Sequence, residues 1–426
     1  HFIDIEIREE LSGMDSPMKF EVIVCDNKQI ELTNKGINGT AIDECPTMVK
    51  NLKINCWSTI WHSRNKTHIS QMPNITRLDI SSQQWEDMSI NIIYILSIMK
   101  HLVKFDISKN NLCSQGTKSI AKALENNQVM TELNISGNLM GWTTTAGTVR
   151  DTGGVIAICN AILTMTALTS LNILNNNLLA DGGKALAEAL KGNNVMQELN
   201  LSFNDLGYDS NYDSDMSGVI AISDAIPTMG ALVSANILYN GIGVEQAKVI
   251  ADILKEHPTL KSLCGNKGDE TELNMAGSRG KRMGADGAIM LAPEIVANGA
   301  LTSLDMSNNN IGLLVPPKGW TSEDNDGQAP WIHSDGRRLE EGAPEGSKTE
   351  GTIAISNAIS ANGALVKFDI SSNELHAEGG KALAGALKDN KIMKELNISS
   401  NDLARNSSYR NDMSGAIAIS DAIPTM

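Results

Sequence analysis

Apolar positions recur along the chain with a fixed spacing that is clearest between Leu168 and Asn204. The matched residues, 28 positions apart, are Leu168 and Met196, Leu171 and Leu199, Ile173 and Leu201, Asn176 and Asn204, and Leu178 and Leu206. The alternation of apolar and polar residues from Leu168 to Ile173 predicts a strand, and Asn176 predicts the turn that ends it. Between the two copies, Gly182–Leu190 has apolar residues four apart among good helix formers, which predicts a short amphipathic helix. A unit this short cannot bury its own apolar face, so successive units must stack as a solenoid.

The unit has the form L-x-x-L-x-L-x-x-N-x-L, followed by a glycine near the helix start and two further leucines. In this form it resembles a leucine-rich repeat of the ribonuclease-inhibitor-like class, over most of the chain from about residue 49 onward. The resemblance implies an α/β solenoid shaped like a curved horseshoe, with parallel strands on the concave face and helices on the convex face. It also implies protein recognition as the role, although one scaffold serves many partners.

The apolar residue just before each asparagine turn marks eleven predicted parallel strands. These residues are Ile54, Ile80, Ile107, Ile135, Ile173, Leu201, Ile237, Met275, Met306, Ile370 and Ile398. Where the step between them exceeds 28 residues, a loop has been inserted. The inserts at 141–152, 207–217, 312–350 and 404–414 all follow the turn, so we expect them on one rim. Residues 264–270 precede a strand and are expected at the opposite rim.

Residues 1–47 do not fit the repeat and are predicted to form an N-terminal capping segment. Within it, residues 20–25 and 29–33 alternate on either side of a turn. This pattern predicts a β-hairpin that covers the exposed edge of the first coil. The predicted repeat array then occupies residues 48–426, with 311–350 as its longest rim insertion.

A second level of repetition relates residues 154–229 to residues 351–426 without a gap, with 47 of 76 positions identical. The second copy ends at Met426, just before the next strand would begin. We therefore expect the natural protein to continue, or a partner to cover the apolar edge of the last coil. Because the first residue is His1 rather than Met, we also expect a processed or incomplete chain.

The formal net charge of −15 changes the expected choice of partner. Nucleic acids and anionic membranes both require a basic face, so the acidic balance argues against them and favours a basic partner. The most apolar run, Ile90–Met99, is too short and too interrupted to span a membrane. Since 41% of residues are hydrophobic but only 4% are aromatic, we expect a core of Leu, Ile, Ala and Met.

The six cysteines leave the compartment open, because they show no CxxC pairing. Three of them lie where extracellular leucine-rich-repeat proteins carry a disulfide-bonded cap, whereas cytosolic arrays bury lone cysteines as small apolar residues. These three are Cys25, Cys45 and Cys56, and nearby glycosylation sequons begin at Asn38, Asn65 and Asn74. We favour a cytoplasmic or organellar location, with a secreted or cell-surface location as the alternative.

The sequence contains no recognisable catalytic, metal or cofactor constellation. Its seven histidines lack ligand spacing, and Gly182–Lys184 is attributed to a tight turn at the helix start rather than to a phosphate loop. Carboxylates on alternate residues of Asp209–Asp215 suit calcium, but the duplicate carries Asn406 and Arg410 at two of these positions. Glu323–Gly327 resembles part of an EF-hand loop that lacks its final Glu. We therefore predict that the protein is not an enzyme and holds no metal or cofactor.

The outward positions of the predicted strands carry short polar side chains, Asp or Asn first and mostly Ser next. Such a face lacks the aromatic and Arg anchors that dominate binding energy in interfaces. We interpret it as a solvated ladder that keeps the sheet soluble, with binding by the concave face as the alternative.

The inserts carry the aromatic anchors that the sheet lacks. Six of the eleven Trp and Tyr residues lie there, and they are the predicted partner-binding residues: Trp142, Tyr208, Tyr212, Trp320, Trp331 and Tyr409. The alternative is that each loop folds its ring back onto its own coil, which is favoured for Tyr212 and Tyr409 because they are equivalent in the two copies. The composition of 312–350 predicts a flexible excursion, but its two tryptophans indicate that part of it docks.

Two functions from different classes remain open. The first is a non-enzymatic interaction or scaffold protein, a subunit of a larger assembly that binds through the rim loops. The second is an extracellular or cell-surface recognition module with a disulfide cap and N-glycans. An enzyme whose catalytic part lies outside these residues has no support in the sequence.

Overall fold

The structure is a computed structural model. It describes residues 3–10, 19–24, 28–32, 49–55, 75–82, 96–97, 99–144, 149–278, 281–312, 320–322, 331–333, 336–339, 349–406 and 410–426. The chain divides into two compact units, His1–Val233 and Ser234–Met426. Cys25, Cys45, Cys56, Asn38, Asn65, Asn74 and Tyr409 lie outside the described residues.

The first unit contains a sheet in which one short strand from each coil lies beside the next. Its strands are β1 (Ile3–Glu10), β2 (Lys19–Val24), β3 (Lys28–Leu32), β4 (Val49–Asn55), β5 (Arg77–Asp79), β6 (Lys104–Asp106), β7 (Glu132–Asn134), β8 (Ser170–Asn172) and β9 (Glu198–Asn200). Strands β4 to β9 are parallel, and β1 joins this ladder at β4. Strands β2 and β3 form an antiparallel hairpin where the alternating sequence predicts one. The capping role of residues 1–47 remains a prediction.

Helices follow the later strands of this unit. They are α1 (Cys113–Leu124), α2 (Gly153–Thr164), α3 (Leu179–Leu190) and α4 (Ser217–Ala225). In α3, Leu186 and Leu190 are buried one turn apart, while Lys184 and Glu188 face solvent. This is the period expected of a helix that covers one face of a sheet.

The second unit repeats the same order of elements. Its parallel sheet joins β11 (Glu272–Asn274), β12 (Ser303–Asp305), β16 (Lys367–Asp369) and β17 (Glu395–Asn397), and β10 (Ser234–Asn236) precedes it in the chain. Its helices are α5 (Val244–Glu256), α6 (Gly284–Ala297), α7 (Glu350–Ala361), α8 (His376–Leu387) and α9 (Ser414–Ala422). Parallel strands alternate with helices, so the predicted α/β solenoid is confirmed.

The longest insert differs from the flexible excursion that its composition predicts. Its described residues form a small antiparallel sheet of β13 (Trp320–Ser322), β14 (Trp331–His333) and β15 (Arg338–Leu339). Each of the first two strands combines a tryptophan with a β-branched residue, and both types favour strands. Counts of Pro, Gly and charge average over the whole insert and conceal these short segments.

The turn asparagines explain why the repeat requires Asn after the strand. The Asn138 side chain is fully buried, and its Nδ2 donates to the Ile135 carbonyl at 2.9 Å and to the Ile107 carbonyl of the preceding coil at 3.0 Å. Its Oδ1 accepts the Asn110 amide hydrogen at 2.8 Å. One side chain thus satisfies backbone groups of two coils, which only an amide, with both donor and acceptor, can do.

The helix glycines are explained by close packing, and the tight turn expected at Gly182–Lys184 is wrong. Gly182 and Gly183 lie inside α3, and neither has a positive φ. A Cβ on Gly183 would lie 3.0 Å from the Cα of Gly218 in α4, and one on Gly218 would lie 2.6 Å from the Cα of Ala180. The glycines therefore allow the first turns of neighbouring helices to approach at backbone distance.

Residues 262–264 correct the expectation that 264–270 is a simple insert before a strand. Ser262 and Cys264 form bridges to β10, so this segment takes a strand position that the sequence pattern does not count. It lacks the repeat's turn asparagine, and the buried Glu294 of α6 holds it instead. Glu294 accepts hydrogen bonds from the Leu263 amide at 2.6 Å, the Cys264 amide at 3.0 Å, Ser262 Oγ at 2.9 Å and Asn266 Nδ2 at 2.7 Å.

Candidate partner-binding site

The insert after β7 is held together near its two ends. Trp142 and Arg150 form an antiparallel bridge, and the Thr143 amide donates to the Val149 carbonyl at 3.0 Å. Trp142 also reaches into the next coil, where its Nε1 donates to Asn177 Oδ1 at 2.9 Å. The indole is therefore fixed by its own insert and by the neighbouring coil.

Arg150 joins two inserts that belong to alternate coils. Its guanidinium carbon lies 3.7 Å from the centroid of the Trp142 ring and 4.4 Å from that of Tyr212, which follows β9. Both distances are within the range of cation–π contact. Among the described residues, the terminal nitrogens of Arg150 have no hydrogen-bond partner, and both are buried. The two rings are thus the contacts that hold this cation.

The rings of Trp142 and Tyr212 lie in coils that are too far apart for direct contact, so a third side chain is needed between them. The coil of β8 carries no insert and separates the coils of β7 and β9. Adjacent strands lie about 4.8 Å apart, so rings two coils apart are too distant to touch at about 9.6 Å. A planar guanidinium that stacks on both rings fills this separation. We call Trp142, Arg150, Tyr208 and Tyr212 the arginine–aromatic cluster.

Tyr212 is the exposed end of the cluster, with 50% of its surface accessible. Its ring centroid lies 6.1 Å from that of the half-buried Tyr208, at an interplanar angle of 58°. A bridge between Tyr208 and Ser214 closes the loop that carries Tyr212. Tyr212 takes a left-handed conformation with φ of 65° at the tip of this loop. The ring is thus both accessible and constrained.

The structure brings together three of the six aromatic residues predicted from the sequence. Arg150 links the rings of Trp142 and Tyr212 from two coils, so these two rings do not fold back only onto their own coils, whereas the Tyr208 ring lies against Tyr212 of the same insert. Trp320 and Trp331 lie in β13 and β14 of the second unit. Sequence reasoning missed Arg150, and the one available signal was a lone basic residue at the end of an insert that begins with Trp.

The outer face of the sheet satisfies its own polar groups, as a solvated ladder should. Asp106 Oδ1 accepts from the Ser108 amide at 2.9 Å and from Ser108 Oγ at 2.7 Å, and Asn134 Nδ2 donates to Asp106 Oδ2 at 2.8 Å. The same arrangement joins Asp369 and Asn397 at 2.8 Å. This face therefore offers few unsatisfied groups to a partner.

Comparison with known families identifies the repeating unit. A sequence model described as "Leucine Rich repeat" matches residues 192–210 and 361–384, and another described as "Leucine Rich Repeat" matches residues 300–320. These coils are leucine-rich repeats.

Two solved structures are similar to this chain at low identity. Leiomodin-1 Actin-Binding Site 2 is 12% identical, with a TM-score of 0.28, and the alignment covers 47% of this chain and 90% of that chain. An internalin from Listeria monocytogenes is 13% identical, with a TM-score of 0.33 and coverage of 79% and 78%. Among curated proteins, none matches the sequence.

The buried cysteines of the repeats are not poised as nucleophiles. Cys113, Cys159 and Cys264 are free and buried. Burial raises the pKa of the Cys159 thiol to about 12, so the reactive thiolate is scarce at neutral pH. Within the described residues, no group of three or more His, Cys, Asp or Glu side chains is placed to hold a metal ion. None of the described helices is both long and apolar enough to cross a bilayer.

A charged pair anchors the insert that carries Trp142 and Arg150. Asp151 Oδ2 accepts from Ser114 Oγ at 2.6 Å and from Lys118 Nζ at 3.0 Å, and its Oδ1 accepts the Gly153 amide at the start of α2. Hydrogen bonds from Ser114 and Lys118 lower the pKa of Asp151 from 3.8 to about 2. The ionised carboxylate therefore ties the end of the insert to α1 and α2 within the repeats.

Asp151→Asn should lower the free energy of unfolding by about 1 kcal/mol at neutral pH, an amount discounted for partial exposure. Because the folded pKa is lowered, the stabilisation is fully present above 3.8 and disappears as pH falls through about 2. Urea unfolding over this range should show the wild type and Asp151→Asn converging in acid. Asp224→Asn, an exposed position on α4, is the control. A difference that stays constant with pH would contradict the assignment.

Proposed function

We propose that the chain is a non-enzymatic protein–protein interaction or scaffold protein, a subunit of a larger assembly that binds through its rim inserts. The observation that carries this proposal is the stacking of Arg150 on Trp142 and Tyr212. Trp320, Trp331 and Tyr409 are further partner-binding candidates on the inserts of the second unit. The regular helices of both units support the ribonuclease-inhibitor-like class of repeat.

A ring that is ordered before binding contributes more to affinity than a mobile one. Immobilising a side chain at an interface costs about 1 kcal/mol of conformational entropy. The cluster already orders the Tyr212 side chain in the free protein, so binding need not pay this cost again. Tyr, Trp and Arg are also the residue types most often found as binding hot spots. The arginine–aromatic cluster therefore combines the right residue types with a fixed geometry and an exposed ring.

Repeat architecture supports a scaffold in a second way. Each coil contacts only its neighbours, so an insert can vary without disturbing the core of the array. The Asn138 bonds show this separation, because they satisfy the backbone of two coils and involve no residue of an insert. Binding residues placed in the inserts therefore have little effect on the stability of the repeat array. The surface of the sheet is at most a secondary contact for a partner.

Tyr212→Ala should lower the capture of a native companion protein by about tenfold or more, since truncation of a hot-spot ring costs about 2 kcal/mol. The measurement is quantitative affinity capture from the native source, with stoichiometry from mass spectrometry. Leu163→Ala is the matched control, because Leu163 is an apolar side chain of the same unit with 61% of its surface exposed. Wild-type chain that recovers no stoichiometric companion, or equal losses in both variants, would overturn the proposal.

A further inference from the structure

The loop that carries Tyr212 has a second copy in the chain, and two hydrogen bonds are the same in the described residues of both copies. In the first copy, the Asp209 amide donates to the Asp213 carbonyl at 2.9 Å, and the Asp213 amide donates to Asp209 Oδ1 at 3.0 Å. In the second copy, Asn406 and Arg410 make the same two bonds at 2.9 and 3.0 Å. The fold of the loop therefore needs a side-chain oxygen at its first position and does not need a charge.

The charge of the two loops differs although both make these two hydrogen bonds. Residues 205–215 contain four Asp and no basic residue, which gives a charge of −4. Residues 402–412 contain two Asp and two Arg, which gives 0. Across the whole duplicated block, 47 of 76 positions are identical. Since Asn406 supplies the same side-chain oxygen as Asp209, the bond to this oxygen does not require the negative charge of the first copy.

We propose that the loop 205–215 binds a cationic segment of a protein partner. Apolar atoms of that segment cover the exposed ring of Tyr212, and its Lys or Arg side chains pair with Asp209 and Asp213. This inference rests on the proposed function and specifies the chemistry of the partner. An acidic segment would meet like charges, which disfavour its binding.

The place of Arg150 decides how the partner's cations are arranged. The guanidinium already contacts the Tyr212 ring at 4.4 Å, so a second cation gains little from that ring. Asp213 is exposed and Asp209 is half-buried beside it. The carboxylates are therefore the favourable positions for the incoming charges, and the ring supplies apolar contact.

The test compares two double variants that change the net charge by the same amount. Asp209→Asn with Asp213→Arg gives the first loop the residues of the second copy, a change of +3. Glu188→Arg with Asp224→Asn makes the same change on exposed positions of α3 and α4. The probe is a fluorescein-labelled peptide of Lys, Arg, Leu and Gly, with an otherwise identical peptide carrying Glu in place of the basic residues. Binding is measured by fluorescence anisotropy on the full chain at low and high salt.

We expect the basic peptide to bind the wild type and the helix variant within about twofold, and the loop variant at least about tenfold more weakly. Its affinity should fall with salt, as expected for exposed charges. Equal weakening in both double variants would mean attraction by net charge alone and would overturn the inference, as would unchanged binding by the loop variant. If Tyr212→Ala releases a native companion that the loop variant retains, the proposed function stands and this inference fails.

Discussion

Glu294→Ala is expected to destabilise the second unit by about 4 kcal/mol, because it removes the buried carboxylate that accepts four hydrogen bonds, three of them buried and one part-buried. Two of the donors are backbone amides, of Leu263 and Cys264, and two are side chains, of Ser262 and Asn266. Alanine leaves the buried Leu263 amide and the buried Ser262 hydroxyl without this acceptor, and an unsatisfied buried donor costs about 1 to 3 kcal/mol. Urea unfolding gives the loss in stability, and hydrogen exchange at the two amides shows whether it is local.

Glu294→Gln separates the charge from the shape of the side chain. Glutamine keeps one acceptor oxygen, so we expect a loss smaller than that of the alanine variant. Burial raises the pKa of Glu294 above its ordinary 4.5, so the stability linked to this group is fully present below 4.5 and is lost as the pH rises through the raised folded pKa. Glutamine does not titrate, and its deficit should therefore be largest in acid and shrink toward neutral pH. A deficit that grows with pH would show that the charge itself is stabilising.

The strands were predictable from the sequence because the same residue types recur at the same positions in successive coils. The turn asparagine is the best example, since Asn138 and Asn176 make equivalent bonds to equivalent carbonyls in consecutive coils. A rule of this kind depends only on spacing along the chain. Residues 262–264 show its limit, because there the asparagine is replaced by Glu294, which lies about thirty positions away in sequence.

The cluster was only half predictable for a related physical reason. Trp142 and Tyr212 could be assigned to inserts from the register, and their residue types marked them as anchors. Their contact through Arg150 depends on the distance between alternate coils and on how each insert closes. Neither the distance between alternate coils nor the closure of an insert can be read from the spacing of residues in the sequence. The prediction for the glycines of α3 was wrong for the same reason, because Gly183 is required by its close packing against a neighbouring helix and not by a turn in its own segment.

Close helix packing gives the other large expected effect, and here one substitution should act with opposite signs at two helical glycines. A Cβ on Gly351 in α7 would lie 2.7 Å from the Cα of Ala285 and 2.8 Å from the Ile311 carbonyl oxygen. Both are backbone atoms that cannot move aside cheaply, so Gly351→Ala should cost about 3 kcal/mol. At Gly385 in α8, by contrast, a Cβ would meet nothing within 4 Å.

Gly385→Ala should therefore stabilise the protein by about 0.5 to 1 kcal/mol, because alanine loses less backbone entropy than glycine in a helix. The two variants add the same methyl group to helices of the same unit, in the first turn of α7 and in the interior of α8. Urea midpoints measured side by side should move in opposite directions from the wild type. If both variants were stabilised, the helices α6 and α7 would have room for a side chain at their first turns, and backbone contact would not explain why glycine occupies this position.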